Sequence, residues 1–139
     1  MSETQDTRWQ QRFQNFDRSF ARLRSALENG PGVLNALEKE GSIRRFGDCF
    51  ELAWKTVKDH MEANGWVFAT ITPRQVLKDA FAAKVLPDGQ VWMDMLDHRN
   101  LLSHTYSSDH FQEAVEAIHR RYLPAFSVLH GFLQTEAKR

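Results

Sequence analysis

Two residues near the middle of the chain have side chains suited to work on a phosphate, Arg99 and His104. A histidine is the natural proton carrier near neutral pH. A guanidinium matches phosphate oxygens and can stabilise charge that builds on a pentacoordinate phosphorus. Together they could cleave RNA without a metal, with the 2′-hydroxyl as nucleophile. The pair sits in the run Trp92-Met93-Asp94-Met95-Leu96-Asp97-His98-Arg99-Asn100-Leu101-Leu102-Ser103-His104-Thr105-Tyr106. At 100° per residue, Val91, Trp92, Met95, Leu96 and Leu102 form an apolar arc with Arg99 in its middle. A cation aimed inward must find an acceptor, because an unpaired buried charge is very costly. An ion pair with Glu51 or Asp97 is the purely structural alternative to a catalytic role. His104 follows five residues later, about 140° round an ideal helix. The two side chains therefore converge only if the helix ends or tightens near Ser103.

Other residues invite chemical readings and have plainer ones. Asp94 and His98 lie four apart, but no second ligand pair accompanies them, so no metal site is expected. Glu51 and Lys55 share a polar helix face, either as a solvated pair or as the lining of a partner-binding cleft. Arg74, Lys78 and Lys84 could guide a phosphate backbone, or simply be solvated. Trp54 and Trp92 fall within core stripes, which favours packing over base stacking. Cys49 is the only cysteine, so no intramolecular disulfide forms, and its neighbours Phe50 and Ala53 mark it as a small buried hydrophobe. There is no glycine-rich phosphate loop. Nor is there a strand-borne carboxylate pair, so this chain is not itself a nucleotidyltransferase.

These residues must be held by helices. The 139 residues suffice for one domain spanning 1–139 with a core of its own. At 42 % apolar and 12 % aromatic residues, disorder is not expected. The formal net charge is zero, which argues against a general polyanion coat but leaves room for a local basic patch. The polar first eleven residues hold no apolar signal core, and no run reaches a membrane span. A cytoplasmic protein that needs no membrane is the expectation.

Trp9, Phe13, Phe16, Phe20, Leu23 and Leu27 are spaced 4, 3, 4, 3, 4, a helical seam that could serve the core or a dimer. Asn29-Gly30-Pro31-Gly32 ends it. A short helical piece is expected over 33–40, then a fresh helix capped by Ser42. That helix buries Phe46, Phe50, Ala53, Val57 and Met61 and ends at Asn64-Gly65; Leu52 falls beside its apolar face as a candidate partner contact. Thr72-Pro73 reads as N-cap and first residue of a helix that sends Val76, Leu77, Ala80 and Phe81 inward. Pro87-Asp88-Gly89 should break that helix and offer a fresh start, and the next runs over about 90–103. The last begins at Asp109 and carries Phe111, Val115, Ile118, Tyr122, Phe126, Leu129 and Leu133 on one stripe, with a kink expected at Pro124. No segment alternates with period two. The expected fold is all-α, an antiparallel up-and-down bundle of about five helices.

With those motifs in place, the chain resembles a known family. Arg99-Asn100-Leu101-Leu102-Ser103-His104 matches the HEPN pattern of arginine, a polar residue, three variable residues and histidine, and Thr105-Tyr106 extends it. Phe50-Glu51-Leu52-Ala53-Trp54-Lys55-Thr56, Thr72-Pro73-Arg74-Gln75-Val76, Ala80-Phe81 and Trp92-Met93-Asp94-Met95-Leu96 are similar to the nucleotidyltransferase substrate-binding protein family, in order, over roughly residues 9 to 133. The resemblance implies a bundle that forms homodimers with the Arg/His pairs near the dimer cleft. It implies a minimal nucleotidyltransferase as partner, and RNA or a nucleotide as ligand, with no cofactor. Within toxin–antitoxin pairs of this type, Arg99 and His104 would be catalytic. Asn100 would orient them, and Tyr106 would accept AMP from the partner. Glu51, Lys55 and Arg74 would line the partner or substrate surface. Some members of this branch are substrate-binding partners only, so three readings stand: binding partner, metal-independent RNA endonuclease, and helical scaffold.

Overall fold

The computed structural model describes residues 3–102 and 108–139 of the chain. The described residues are helical, and none forms a strand. The first helix, α1 (Glu3–Ala26), buries Trp9, Phe16, Phe20 and Leu23 and carries acidic residues in its first turn, where the helix dipole favours them. Gly30, at φ 86°, turns the chain into a single 3-10 turn, Pro31–Val33.

The second helix departs from expectation. Instead of a short piece and a restart at Ser42, α2 (Ala36–Ala63) is one helix of 28 residues. Asn35 and Glu38 form a reciprocal capping box: the Glu38 amide donates to Asn35 Oδ1 at 2.8 Å and the Asn35 amide to Glu38 Oε1 at 2.9 Å. Ser42 lies inside the helix and donates from Oγ to the Glu38 carbonyl, four residues back. The helix weakness contributed by Gly41, about 1 kcal/mol, is overridden by this cap and by the long buried face from Phe46 to Met61. At the far end the Trp66 amide reaches the Met61 carbonyl at 2.9 Å and Gly65 takes φ 92°, a Schellman closure.

The third helix, α3 (Pro73–Ala82), is capped by Thr72, whose Oγ1 accepts from the Gln75 amide. Val76, Leu77 and Ala80 are buried as expected, but Phe81 is 53 % exposed. It stands 100° beyond Ala80 in the last turn, past the reach of the core, and its ring lies over the start of the next helix. A Cβ on Gly89 would come within 3.0 Å of that ring. The helix ends before Pro87, with Lys84 in the left-handed region at φ 63° and the Val85 amide bonded to the Ala80 carbonyl. A non-glycine residue there carries strain. Lys84→Gly is therefore expected to stabilise the protein by about 0.5–1 kcal/mol. Urea denaturation reads this directly, and a lowered midpoint would refute it.

Pro87-Asp88-Gly89 gives the next helix its start, with Asp88 as its cap. Asp88 Oδ1 accepts from the amides of Gln90 and Val91 and starts α4 (Gly89–Leu102). The final rod comprises α5 (Ser108–Ala117), a π-turn (Ile118–Tyr122) and α6 (Leu123–Ala137). Pro124 lacks an amide hydrogen and its ring would strike a carbonyl four residues back. The wider turn relieves this: the Leu123 amide bonds the Ile118 carbonyl, five residues earlier. The irregularity expected at Pro124 thus takes the form of a π-turn.

Helices that follow one another run antiparallel in the α1–α2 and α3–α4 pairs, whereas α2 and the final rod run parallel, with Phe46 beside Tyr122 and His60 beside Glu136. Arg12 meets Asp59 at one end of the α1–α2 pair, and Arg45 reaches the Arg22 carbonyl at the other. Asp17 meets His130 between α1 and α6, Arg74 meets Asp97 between α3 and α4, and Asp94 meets Arg121 between α4 and the π-turn. The core at their junction is aromatic, with Phe16, Phe20, Phe46 and Trp92 grouped around Phe126. Trp54 and Cys49 also belong to it. Burial pushes the Cys49 thiol far above its ordinary range, so it stays protonated and inert. No helix among the described residues is long and apolar enough to cross a membrane.

Candidate functional site

Arg99 lies near the end of α4 and turns towards α2. Its Nη1 donates to Glu51 Oε2 at 2.7 Å, and its guanidinium lies 5.4 Å from the centre of the Phe50 ring. Glu51 also meets Lys55, one turn on, at 3.4 Å. The open choice of counter-ion for Arg99 is thereby resolved as Glu51. Asp97 stands two residues earlier, about 200° round the helix, and pairs with Arg74 at 3.0 Å. Glu51, Lys55 and Arg99 are thus brought together, while Arg74 is held on another face of α4.

Arg99 is not sealed in. Its side chain is 28 % exposed and borders a cleft of about 610 Å³ between α2, α4 and α5. Glu40, Ile43, Arg44, Phe46, Leu102 and Phe111 supply most of the lining. The walls are therefore largely apolar, with cations from Arg99 and Arg44. Arg99 Nε is buried with no hydrogen-bond partner, so the guanidinium has donor capacity that Glu51 alone does not use. Asn100 is exposed at the next position. His104 and Tyr106 lie outside the described residues.

The rotation of α4 that aims Arg99 at α2 is set on its other side. His98 Nδ1 and the Tyr122 hydroxyl share a hydrogen bond of 2.9 Å, and their rings meet edge to face. Burial holds the His98 imidazole below its ordinary range, with Glu113 pulling the other way, and burial raises the Tyr122 phenol. Asp94 is held below the usual carboxylate range by Arg121, which bonds it at 2.6 Å. The Asp94–His98 pair considered for a metal is thus spent on helix packing. No group of three or more histidine, cysteine, aspartate or glutamate side chains among the described residues is placed to hold a metal ion.

The residues nominated for a phosphate track, Arg74, Lys78 and Lys84, do not border the Arg99 cleft. Arg44 does, and sequence reasoning missed it. Its signal was modest: an Arg44-Arg45 dipeptide opposite Arg18 and Arg22, which share one face of the first helix at a spacing of four.

No curated protein matches the chain significantly. A family profile described as "Nucleotidyltransferase substrate binding protein like" matches residues 11–135. That span covers α2, α4 and α5, every helix of the Arg99 site, and nearly all of the remaining bundle. The chain belongs to the nucleotidyltransferase substrate-binding protein-like family.

Proposed function

We propose that this protein is the HEPN-type, substrate-binding partner of a minimal nucleotidyltransferase and the toxin half of such a pair, acting in the cytoplasm as a homodimer built from one-domain chains. The observation that carries the reading is Arg99: a guanidinium at the edge of an apolar cleft, 28 % exposed and held by one carboxylate at 2.7 Å. A phosphate offers several acceptor oxygens where Glu51 offers one. An incoming phosphodiester or nucleotide can replace Glu51 on the exposed part of the guanidinium, and Lys55 keeps Glu51 paired when it is displaced. The apolar walls suit a base or sugar beside that phosphate.

In this reading His104 moves the proton, Asn100 orients the pair, and Tyr106 is the AMP acceptor through which the partner silences the site. Where the chain acts alone on RNA, the 2′-oxygen attacks the adjacent phosphorus and the bond to the 5′-oxygen breaks. His104 shuttles the proton from nucleophile to leaving group, leaving a 2′,3′-cyclic phosphate and a 5′-hydroxyl.

The test is inducible expression of the chain alone, beside Arg99→Ala and His104→Ala, reading growth and RNA integrity, and co-purification with a minimal nucleotidyltransferase of the same genome. Wild type is expected to arrest growth and both variants to be harmless, with RNA cleavage reduced on the order of 100-fold or more and partner capture unchanged. Harmless wild type with intact RNA and full partner capture would refute the toxin role and leave the binding partner. No capture would refute the partner.

A further inference from the structure

A second concavity, of about 800 Å³, runs between α1 and α2 beside the Arg99 cleft. The two share Arg44, and Glu51, the counter-ion of Arg99, lies in the lining of the second. Four arginines face this groove: Arg18 and Arg22 from α1, Arg44 and Arg45 from α2. Its carboxylates are Asp48 and Glu51, and Glu51 already serves Arg99 and Lys55.

Arg12, Arg74, Arg99, Arg121 and Arg139 each meet a carboxylate. None of the four groove arginines does so among the described residues. Arg8, Arg24 and Arg120 also meet no carboxylate among the described residues, but they lie scattered along the chain, whereas the four groove arginines are gathered on one face. Arg18 donates to the Asn15 side-chain oxygen and Arg45 to the Arg22 carbonyl, both neutral acceptors. In a chain of zero formal net charge, four arginines that form no ion pair among the described residues, against two carboxylates in the same groove, make a local positive field. Gly41 borders open space in the groove, where a Cβ would meet nothing within 4 Å.

We infer that this groove binds the phosphate backbone of a single-stranded nucleic acid and leads it to Arg99. Guanidinium forks match successive phosphates without reading sequence. The groove opens at Arg44 onto a cleft with apolar and aromatic walls, which accepts an unstacked base but not a paired one. An acidic peptide would satisfy the arginines and leave that cleft unfilled. The inference rests on reading Arg99 as a phosphate-binding residue, and it assigns Arg18, Arg22, Arg44 and Arg45 a role separate from any chemistry.

The test uses the full chain and a fluorescein-labelled single-stranded 12-mer of RNA, 2′-O-methylated so that no nucleophile remains, with binding read by fluorescence anisotropy across a salt series. The double variant Arg22→Gln with Arg44→Gln removes two cations that make no ion pair. Its affinity for the 12-mer is expected to fall on the order of tenfold or more, and the slope of log affinity against log salt to flatten by about 1.4, two phosphate contacts at ~0.7 each. The lysine pair, Arg22→Lys with Arg44→Lys, should restore most of the slope, and thermal denaturation should show the variants folded. Wild type that ignores the RNA, or a glutamine variant that binds it with unchanged slope, overturns the groove. Loss of nucleotidyltransferase capture or of self-association with unchanged RNA binding also overturns it, making this face a protein interface. Groove-dependent RNA binding without capture of any nucleotidyltransferase leaves the inference standing and refutes the partner assignment instead.

Discussion

Replacing Phe126 by alanine is expected to destabilise the protein by about 3–5 kcal/mol. Phe126 is completely buried. Its ring centre lies 6.2 Å from those of Phe16, Phe20 and Phe46, and 5.5 Å from that of Trp92, which it meets edge to face. Those neighbours belong to α1, α2 and α4, so the hole left by truncation has walls on every major helix that packs against α6. Such a cavity collapses poorly, because closing it means moving several helices that are each fixed by other contacts. The edge-to-face contact with Trp92 adds to the loss beyond buried area. At roughly 3 °C per kcal/mol for a chain of this size, the melting temperature should drop by about 10 °C or more. Urea denaturation provides the free energy. A loss under about 1.5 kcal/mol would mean that the aromatic cluster repacks freely, contrary to the argument. Phe126→Leu, which keeps most of the volume, should cost clearly less.

Asp59→Ala is expected to cost about 2–4 kcal/mol, although the residue lies on the polar side of α2. Asp59 is 2 % exposed. Arg12 Nε lies 2.8 Å from Oδ2 and Lys58 donates to Oδ1 at 3.1 Å. The Arg12 contact lacks hydrogen-bond alignment at Oδ2, so it acts mainly through charge. Removing the carboxylate leaves two cations facing one another. Lys58 keeps Glu62, also at 3.1 Å, but Arg12 has no second carboxylate among the described residues. Because Arg12 is partly exposed, water relieves some of the penalty, which keeps the estimate below that of a sealed pair. The double substitution Arg12→Met with Asp59→Leu removes both charges and should regain most of the loss. If the double variant is no more stable than Asp59→Ala, the cost was packing rather than an uncompensated charge.

Much of this architecture was legible along the chain, because the determinants lie three or four residues apart. The seam from Trp9 to Leu27 became α1 with the side next to α2 and α6 buried. Thr72-Pro73 capped and opened α3, and Asn64-Gly65 closed α2. Each of these is a contact between a residue and its own turn, so the tertiary setting had little power to alter it. The misreadings came where a local signal competed with a stronger neighbour. Gly41-Ser42 resembled a boundary, but the capping box seven residues upstream and the apolar face downstream carried the helix through it. Phe81 had the spacing of a core residue, but the helix stopped one residue later and its ring found Gly89 instead.

The site depended more on tertiary structure. Arg99 was visible as a cation on an apolar arc, a feature of one helix alone. Whether Glu51 or Asp97 would hold it was not visible, because both carboxylates were available in sequence. The rotation of α4, anchored by His98 on Tyr122, aims Arg99 at α2 and leaves Asp97 to Arg74. The arginine groove was less visible still. Arg18 and Arg22 are separated from Arg44 and Arg45 by a breaker, the last turn of α1 and the first two turns of α2, and each pair alone is an ordinary solvated surface. Their meeting depends on the register in which α1 packs antiparallel to α2, and that register follows from the interlocking of Trp9 with His60 and of Arg12 with Asp59. Local periodicity determines which residues share a helix face. Only the packing of one helix on another decides what that face looks at, because the relevant free energies belong to contacts between residues tens of positions apart.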